Sequence, residues 1–335
     1  MSDLGNYYGS FEAAQEYDKA GDIVMAATEY WMCVQYCEHG DFPYIPDLSL
    51  EAKAERKLKK YLPKIPYAPL SKTTFIKGCQ CPKALWLYRN KYDQRNVSKE
   101  QQQKFDKGHI IGDLAQKLFP AGHDASLFSY PKHIDRALEK LQWKSPIKVP
   151  SLPYRLKQNI WLQQTEEAIM KNVQDIYEAA FTYNDVFSAI DILHFDNNHN
   201  VAYEVKSSYE IKDVYIHDCA LQYYVMSHNI KLHDFVIIYL DKEYVKSLNL
   251  EIKDITMDNC DINNLFIKKS ILSDVIALQE TIEEELTSIK PILSTKKEPQ
   301  IAMGAHCSQP YECEFSQYCN PHKSSLSWED DIYWF

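Results

Sequence analysis

The chain has 335 residues, of which 45% are hydrophobic and 25% charged, a globular mixture that excludes collagen-like or wholly disordered character. Its longest clean apolar run, residues 235–240, is far below the roughly 20 residues needed to cross a bilayer. The acidic, tyrosine-rich start (MSDLGNYYGSFEAAQEY) lacks the basic-then-apolar order of a secretory signal. A soluble, cytoplasmic protein with no membrane partner is therefore expected. Its nine cysteines then point to thiols or metal ligands rather than disulfides.

The net charge of −10 is unevenly spread. Residues 1–50 carry 9 acids and 1 base, residues 51–110 carry 5 acids and 15 bases, and the remainder carries 33 acids and 21 bases. A phosphate backbone responds to local potential, so the acidic total does not exclude a nucleic-acid partner. The basic stretch also holds Tyr61, Tyr67, Phe75, Trp86, Tyr88 and Tyr92, rings able to stack on bases. A solvated basic helix followed by buried aromatics explains it equally well.

In chain order, small and apolar residues at helical spacing predict an antiparallel pair over 11–20 and 23–38, joined at Gly21-Asp22. The pattern is similar to one tetratricopeptide-type unit, but no second copy follows. Cys33 and Cys37 lie one turn apart and suit core packing. Five prolines across 42–70 surround a charged helix at 50–61, and the composition reads as a linker over 51–70, after an acidic hairpin at 1–50. The main domain then covers 71–322, with a tail at 323–335. Ser71 or Thr74 caps a short helix through 81–88. Further helices are expected at 98–118, 137–142 and 154–171, strands at 175–183, 186–195 and 201–207, a helix at 212–227, a strand at 234–240 and a long helix at 271–289. Helices on a short mixed sheet give an α/β class.

The segment SAIDILHFDNNHNVAYEVKSS carries the chemistry. Asp191 lies on the first strand of a hairpin, and Glu204 and Lys206, two apart on the second, share a face. Two carboxylates suit a hard divalent cation with positions left for water and phosphate, and a lysine beside them can orient or help deprotonate the attacking water. A surface Asp and an exposed Glu/Lys pair would read the same way. Glu178, on the preceding strand, faces either this site or solvent.

Ile190-Asp191 followed by Glu204-Val205-Lys206 resembles the PD-(D/E)XK nuclease signature, in its RecB-like branch. Upstream, Lys107-Gly108-His109-Ile110-Ile111-Gly112 resembles the motif whose histidine adds a metal ligand. Downstream, Asp218-Cys219-Ala220-Leu221-Gln222-Tyr223-Tyr224 resembles the helix whose glutamine faces the site. The resemblance covers about residues 71–322 and implies a restriction-endonuclease-like core. By it, Asp191, Glu204, the Val205 carbonyl and His109 would ligate Mg²⁺ or Mn²⁺, Lys206 would be the catalytic lysine, and Gln222 would position substrate or water.

Cysteines bracket that domain. Cys79 and Cys81 open it, and Cys307-x5-Cys313-x5-Cys319 closes it. Four thiolates suit zinc or an iron–sulfur cluster. The resemblance favours [4Fe–4S], as in CRISPR-associated-type exonucleases that place one cysteine before the core and three after it, and it selects Cys81, ahead of Pro82, with Cys79 as a spare. The five-residue gaps depart from the tight C-x2-C pair usual in those families. Cys219 and Cys260 stand alone as buried thiols.

The function so implied is metal-dependent hydrolysis of DNA, as a single-stranded DNA exonuclease. The alternative is a non-catalytic nucleic-acid-binding or scaffold protein on a nuclease-derived fold, whose N-terminal hairpin docks a protein partner or shields the basic stretch of its own chain.

Overall fold

The computed structural model describes residues 7–39, 48–126, 152–196 and 199–320; the helix expected at 137–142 and the tail at 323–335 lie outside the described residues. The N-terminal pair is present as α1 (Tyr7–Ala20) and α2 (Ile23–His39). Gly21 makes the reversal at φ 82°, a left-handed value that a side chain would resist. Asp22 Oδ1 then accepts from Met25 N at 3.0 Å, satisfying one free donor of α2.

The stretch read as a linker does not behave as one at its start. It carries most of α3 (Leu48–Tyr61), whose Leu50, Ala54, Leu58 and Tyr61 form one buried stripe. That stripe joins Met25, Tyr30 and Cys33 of α2 in a single core. Asp18 accepts hydrogen bonds from Lys57 Nζ at 2.5 Å and from the Tyr61 hydroxyl, so α1 is tied to α3. Only four apolar positions mark this face among many lysines and glutamates, too faint a stripe to outweigh the prolines around it.

Farther along, β1 (Leu70–Ser71) leads directly into α4 (Lys72–Gln80). Ser71 and Thr74 cap α4 reciprocally, a capping box. The single helix expected to run through 81–88 is two helices, because Pro82 lacks the N–H an unbroken helix needs and starts α5 (Pro82–Asn90). Then come α6 (Lys99–Gln116), the two-residue β2 (His123–Asp124) and α7 (Tyr154–Met170). Leu156 and Ile160 of α7 complete the N-terminal core.

Strands β3 (Asp175–Tyr183), β4 (Val186–Asp196), β5 (His199–Lys206) and β6 (Asp234–Leu240) form the centre of the sheet. Between β5 and β6 runs α8 (Asp213–Ser227), the crossover that parallel neighbours require. A seventh strand, β7 (Phe266–Ser270), was not expected. Four of its five residues are exposed and two are lysines, the charged composition of an edge strand rather than an alternating one. The long helix expected over 271–289 is divided at Leu278 into Leu272–Ala277 and Gln279–Ile289.

The sheet is mixed and open, ordered β2-β3-β4-β5-β6-β7. One face is packed by α4, α8 and the Gln279–Ile289 helix, with Phe75, Leu221, Tyr224 and Leu286 among its core residues. The other is covered by α6 through Ile111, Leu114 and Ala115. Among the described residues no helix is long and apolar enough to cross a membrane.

One detail of the ladder places the chemistry. Along one side, β4 pairs with β1 at Val186 and Phe187, then with β5 from Ile192 onward. Asp191 stands at this change of partner, and Lys72 is the first residue past β1.

Candidate functional site

Continuing the β4–β5 register by one pair from Ile192↔Tyr203 sets Asp191 opposite Glu204. Asp191 Oδ2 accepts from Val205 N at 2.6 Å, so a carboxylate takes the place of a ladder carbonyl. Glu204, 2% exposed, receives two ammonium groups on one oxygen: Lys206 Nζ at 2.8 Å and Lys72 Nζ at 2.9 Å from Oε1. Lys206 also lies 3.5 Å from Asp218 Oδ2 on α8 and 5.2 Å from the Tyr215 ring centre. One turn beyond Asp218, Gln222 is fully buried.

The second oxygens have no partner. Glu204 Oε2, Asp218 Oδ1 and both polar atoms of Gln222 are buried without a hydrogen bond. Burying such groups unpaired costs about 1–3 kcal/mol each, more when charged, so their gathering marks a place built for something polar. Across the strand pair, Glu178 completes the group. Its φ of 53° is unusual for a non-glycine residue inside a strand, and such strain concentrates at working sites.

The carboxylates are held in different states. Burial and the neighbouring Asp191 push Glu178 up to about 8. Burial and Glu204 push Asp191 up to about 6. Burial would raise Glu204 too, but Lys206 and Lys72 outweigh it and hold that carboxyl at about 2. In turn, Glu204 and Asp218 overcome the burial of Lys206 and keep its ammonium charged well beyond its usual range. Separated titrations among adjacent acids are a feature of functional sites.

Asp191, Glu204 and Lys206 are thus brought together, with Val205 fixing Asp191 through its N–H, and Gln222 lies one helical turn beyond Asp218. His109 is not brought to them; it is exposed on α6, with no hydrogen bond to these acids among the described residues. Lys72 and Asp218 join the site without having been singled out as members. A lysine at a helix start signals nothing by itself, because what it faces depends on β1 pairing with β4.

Beside the site opens a cleft of about 950 Å³. Lys104, Lys107, Lys212 and Lys242 line it, with Phe105, Tyr209, Tyr215 and Tyr311. Part of the basic stretch therefore does face a common hollow, together with bases from later in the chain.

Cys81, Cys307, Cys313 and Cys319 line one small cavity at the N-terminus of α5. All are free thiols. Burial and the other three sulfurs raise the Cys313 thiol. Cys79 lies outside this group, packed toward Glu285, and burial with that carboxylate raises its thiol. Around the cavity, Trp86, Leu87 and Phe315 form a separate apolar core.

The chain matches no family model and no curated protein. A solved structure described as the crystal structure of SSO0001 aligns with 66% of this chain and 98% of its own, at 12% identity and a TM-score of 0.23.

Chemically, the carboxylate oxygens offered by Asp191, Glu204, Glu178 and Asp218 suit a hard divalent cation, and the unpartnered Glu204 Oε2 and Asp218 Oδ1 fit that use. Among the described residues no three His, Cys, Asp or Glu side chains are already gathered as a coordination shell; at Glu204 two ammonium groups supply the positive charge instead. The four cysteines line one cavity without being gathered as a shell either; as donors, thiolates suit zinc or an iron–sulfur cluster.

Proposed function

We propose that this chain is a metal-dependent nuclease on a restriction-endonuclease-like core, hydrolysing DNA phosphodiesters with preference for single strands, and that its cysteine cavity holds a [4Fe–4S] cluster. The observation carrying this reading is the buried Glu204, paired through one oxygen to Lys206 and Lys72 and unpartnered at the other, beside Asp191 on the next strand. Structural ion pairs satisfy both oxygens; this one keeps an acceptor in reserve.

Asp191 and Glu204, with Glu178 and Asp218 at their flanks, would hold Mg²⁺ or Mn²⁺. Bound there, such a cation neutralises charge on a phosphate and acidifies water. The chain's own groups do the rest. Lys206, paired to Glu204 at 2.8 Å, is placed to act toward the phosphate or the attacking water, as a hydrogen-bond donor and positive charge. Gln222, with its amide free, orients water or substrate. The water oxygen bonds to phosphorus in line and loses a proton, and the opposite P–O bond breaks as its leaving oxygen takes one up, giving a hydroxyl and a terminal phosphate. The lysine- and aromatic-lined cleft supplies the strand path.

The test is direct. Protein purified without oxygen should cleave end-labelled single-stranded DNA with Mn²⁺ or Mg²⁺, and faster than duplex or RNA. No cleavage of any strand with either ion removes the enzyme reading; binding without turnover supports the scaffold alternative.

Lys72 gives a second prediction. Because its ammonium sits on the carboxylate the cation needs, Lys72→Met should tighten Mn²⁺ binding about tenfold, read from free Mn²⁺ by electron paramagnetic resonance. Unchanged or weaker binding would show that Lys72 does not stand in the cation's place.

A further inference from the structure

The cysteine loop does more than close the domain, because it delivers a ring to the active site. Between Cys307 and Cys313 the chain carries Tyr311, and its backbone is pinned on both sides. Gln80 Nε2 of α4 donates to His306 O at 2.6 Å and to Tyr311 O at 2.7 Å. Gln101 Nε2 of α6 donates to Glu312 O at 3.0 Å, and Cys313 N to Cys307 O at 2.8 Å. Next in line, Glu314, 7% exposed, is held by Lys77 Nζ at 2.7 Å and Arg95 Nε at 2.8 Å. The ring on this fixed backbone is nevertheless 40% exposed and opens into the cleft.

It is also near the chemistry. Tyr311 lines the cleft together with Ser207, the residue after Lys206, and with Tyr215, whose ring centre lies 5.2 Å from Lys206 Nζ. Phe105 and Tyr209, 45% and 39% exposed, line the same cleft, and Lys107 Nζ lies 5.5 Å from the Tyr209 ring centre. Lys107, Lys212 and Lys242 have no carboxylate partner among the described residues, and Lys104 has Glu100 one turn back on α6. Open ring faces interleaved with unpaired ammonium groups match a chain of alternating bases and phosphates. Paired bases have both faces already stacked, so the fit is to unpaired nucleotides.

We propose that Tyr311 is a substrate-positioning residue, stacking on the nucleotide next to the phosphate that is cut and held in place by the four-cysteine loop. This rests on the nuclease reading above. It gives the cysteine-bound group a task at the active site: keeping one wall of the strand path at its proper distance from Lys206.

The experiment uses the full chain. Binding of fluorescein-labelled single-stranded DNA, single-stranded RNA and blunt duplex DNA is followed by anisotropy in EDTA, so that no cleavage intervenes, and Mn²⁺-dependent cleavage is measured separately. Tyr311→Ala should weaken single-strand binding about tenfold, within the range of one base–aromatic stack, and leave duplex binding unchanged. In cleavage the loss should fall on KM more than on kcat. Tyr311→Trp should restore binding, because it returns a ring face without the phenol. Gln80→Ala, which frees the loop but leaves every thiol, should shift binding in the same direction by a smaller factor. If the wild type binds and cleaves while Tyr311→Ala binds equally well, this inference falls and the nuclease reading stands. Failure of tryptophan to rescue would assign Tyr311 a structural role and overturn the stacking. A wild type that neither binds nor cleaves any strand removes both.

Discussion

Replacing Lys206 by alanine should reduce cleavage by about 10²–10³-fold, the usual loss when one preorganised charge donor is removed from a transition state. The fold should survive. Removing one partner of a buried ion pair commonly strands the other charge and costs about 3–5 kcal/mol, but Glu204 has two partners on the same oxygen. With Lys206 gone, Lys72 at 2.9 Å still neutralises it, and Asp218, which loses its 3.5 Å partner, can take up a proton because burial already raises its carboxyl. The variant should therefore melt within a few degrees of the wild type and keep the visible absorption of its cysteine-bound group. Single-turnover cleavage of a labelled strand, with a thermal melt of the same sample, separates chemistry from folding. Cleavage within about threefold of the wild type would take Lys206 out of the reaction.

If the cysteines hold the proposed cluster, removing it should have the largest effect on stability. Cys81 lies at the start of α5 and its three partners lie beyond residue 306, so ligation there fastens two distant parts of the chain. Free energy of such ligation acts as folding free energy, and closing so long a loop removes many unfolded conformations. Losing several kcal/mol in a domain of this size corresponds to a fall of about 10 °C or more in Tm. Cys313→Ser should show that fall together with loss of the brown absorption and of iron. Lys77 and Arg95 on Glu314 and the core around Trp86 and Phe315 should keep the region from unfolding completely. Iron-free, zinc-free wild-type protein whose melting does not change in Cys313→Ser would defeat the assignment.

Much of the architecture could be read from local pattern. The reversal at Gly21-Asp22, the alternation through β3, β4 and β5, and the i, i+2 placement of Glu204 and Lys206 follow from short-range geometry. Cys307, Cys313 and Cys319 stood out through their spacing, and Cys81 only through the resemblance. What escaped was set by pairings distant in sequence. Lys72 enters the site only because two residues of β1 join β4 where β5 has left it. Glu178 depends on a left-handed backbone in mid-strand, which no side-chain pattern announces. His109 shows the opposite failure, since its motif fixes a place on α6 but not which way that face turns. The packing of α3 was hidden by prolines nearby, and β7 by its lysines.

The hydrogen bond from Val205 N to Asp191 has a consequence for how the site receives a ligand. One acid is clamped by main chain and keeps its station whether or not anything is bound, whereas the other is gripped by two long, movable amines. The hollow thus has a fixed jaw and a yielding one. A cation entering at the free Glu204 Oε2 meets side-chain amines and no main-chain clamp on that acid, so loading should leave the sheet undisturbed.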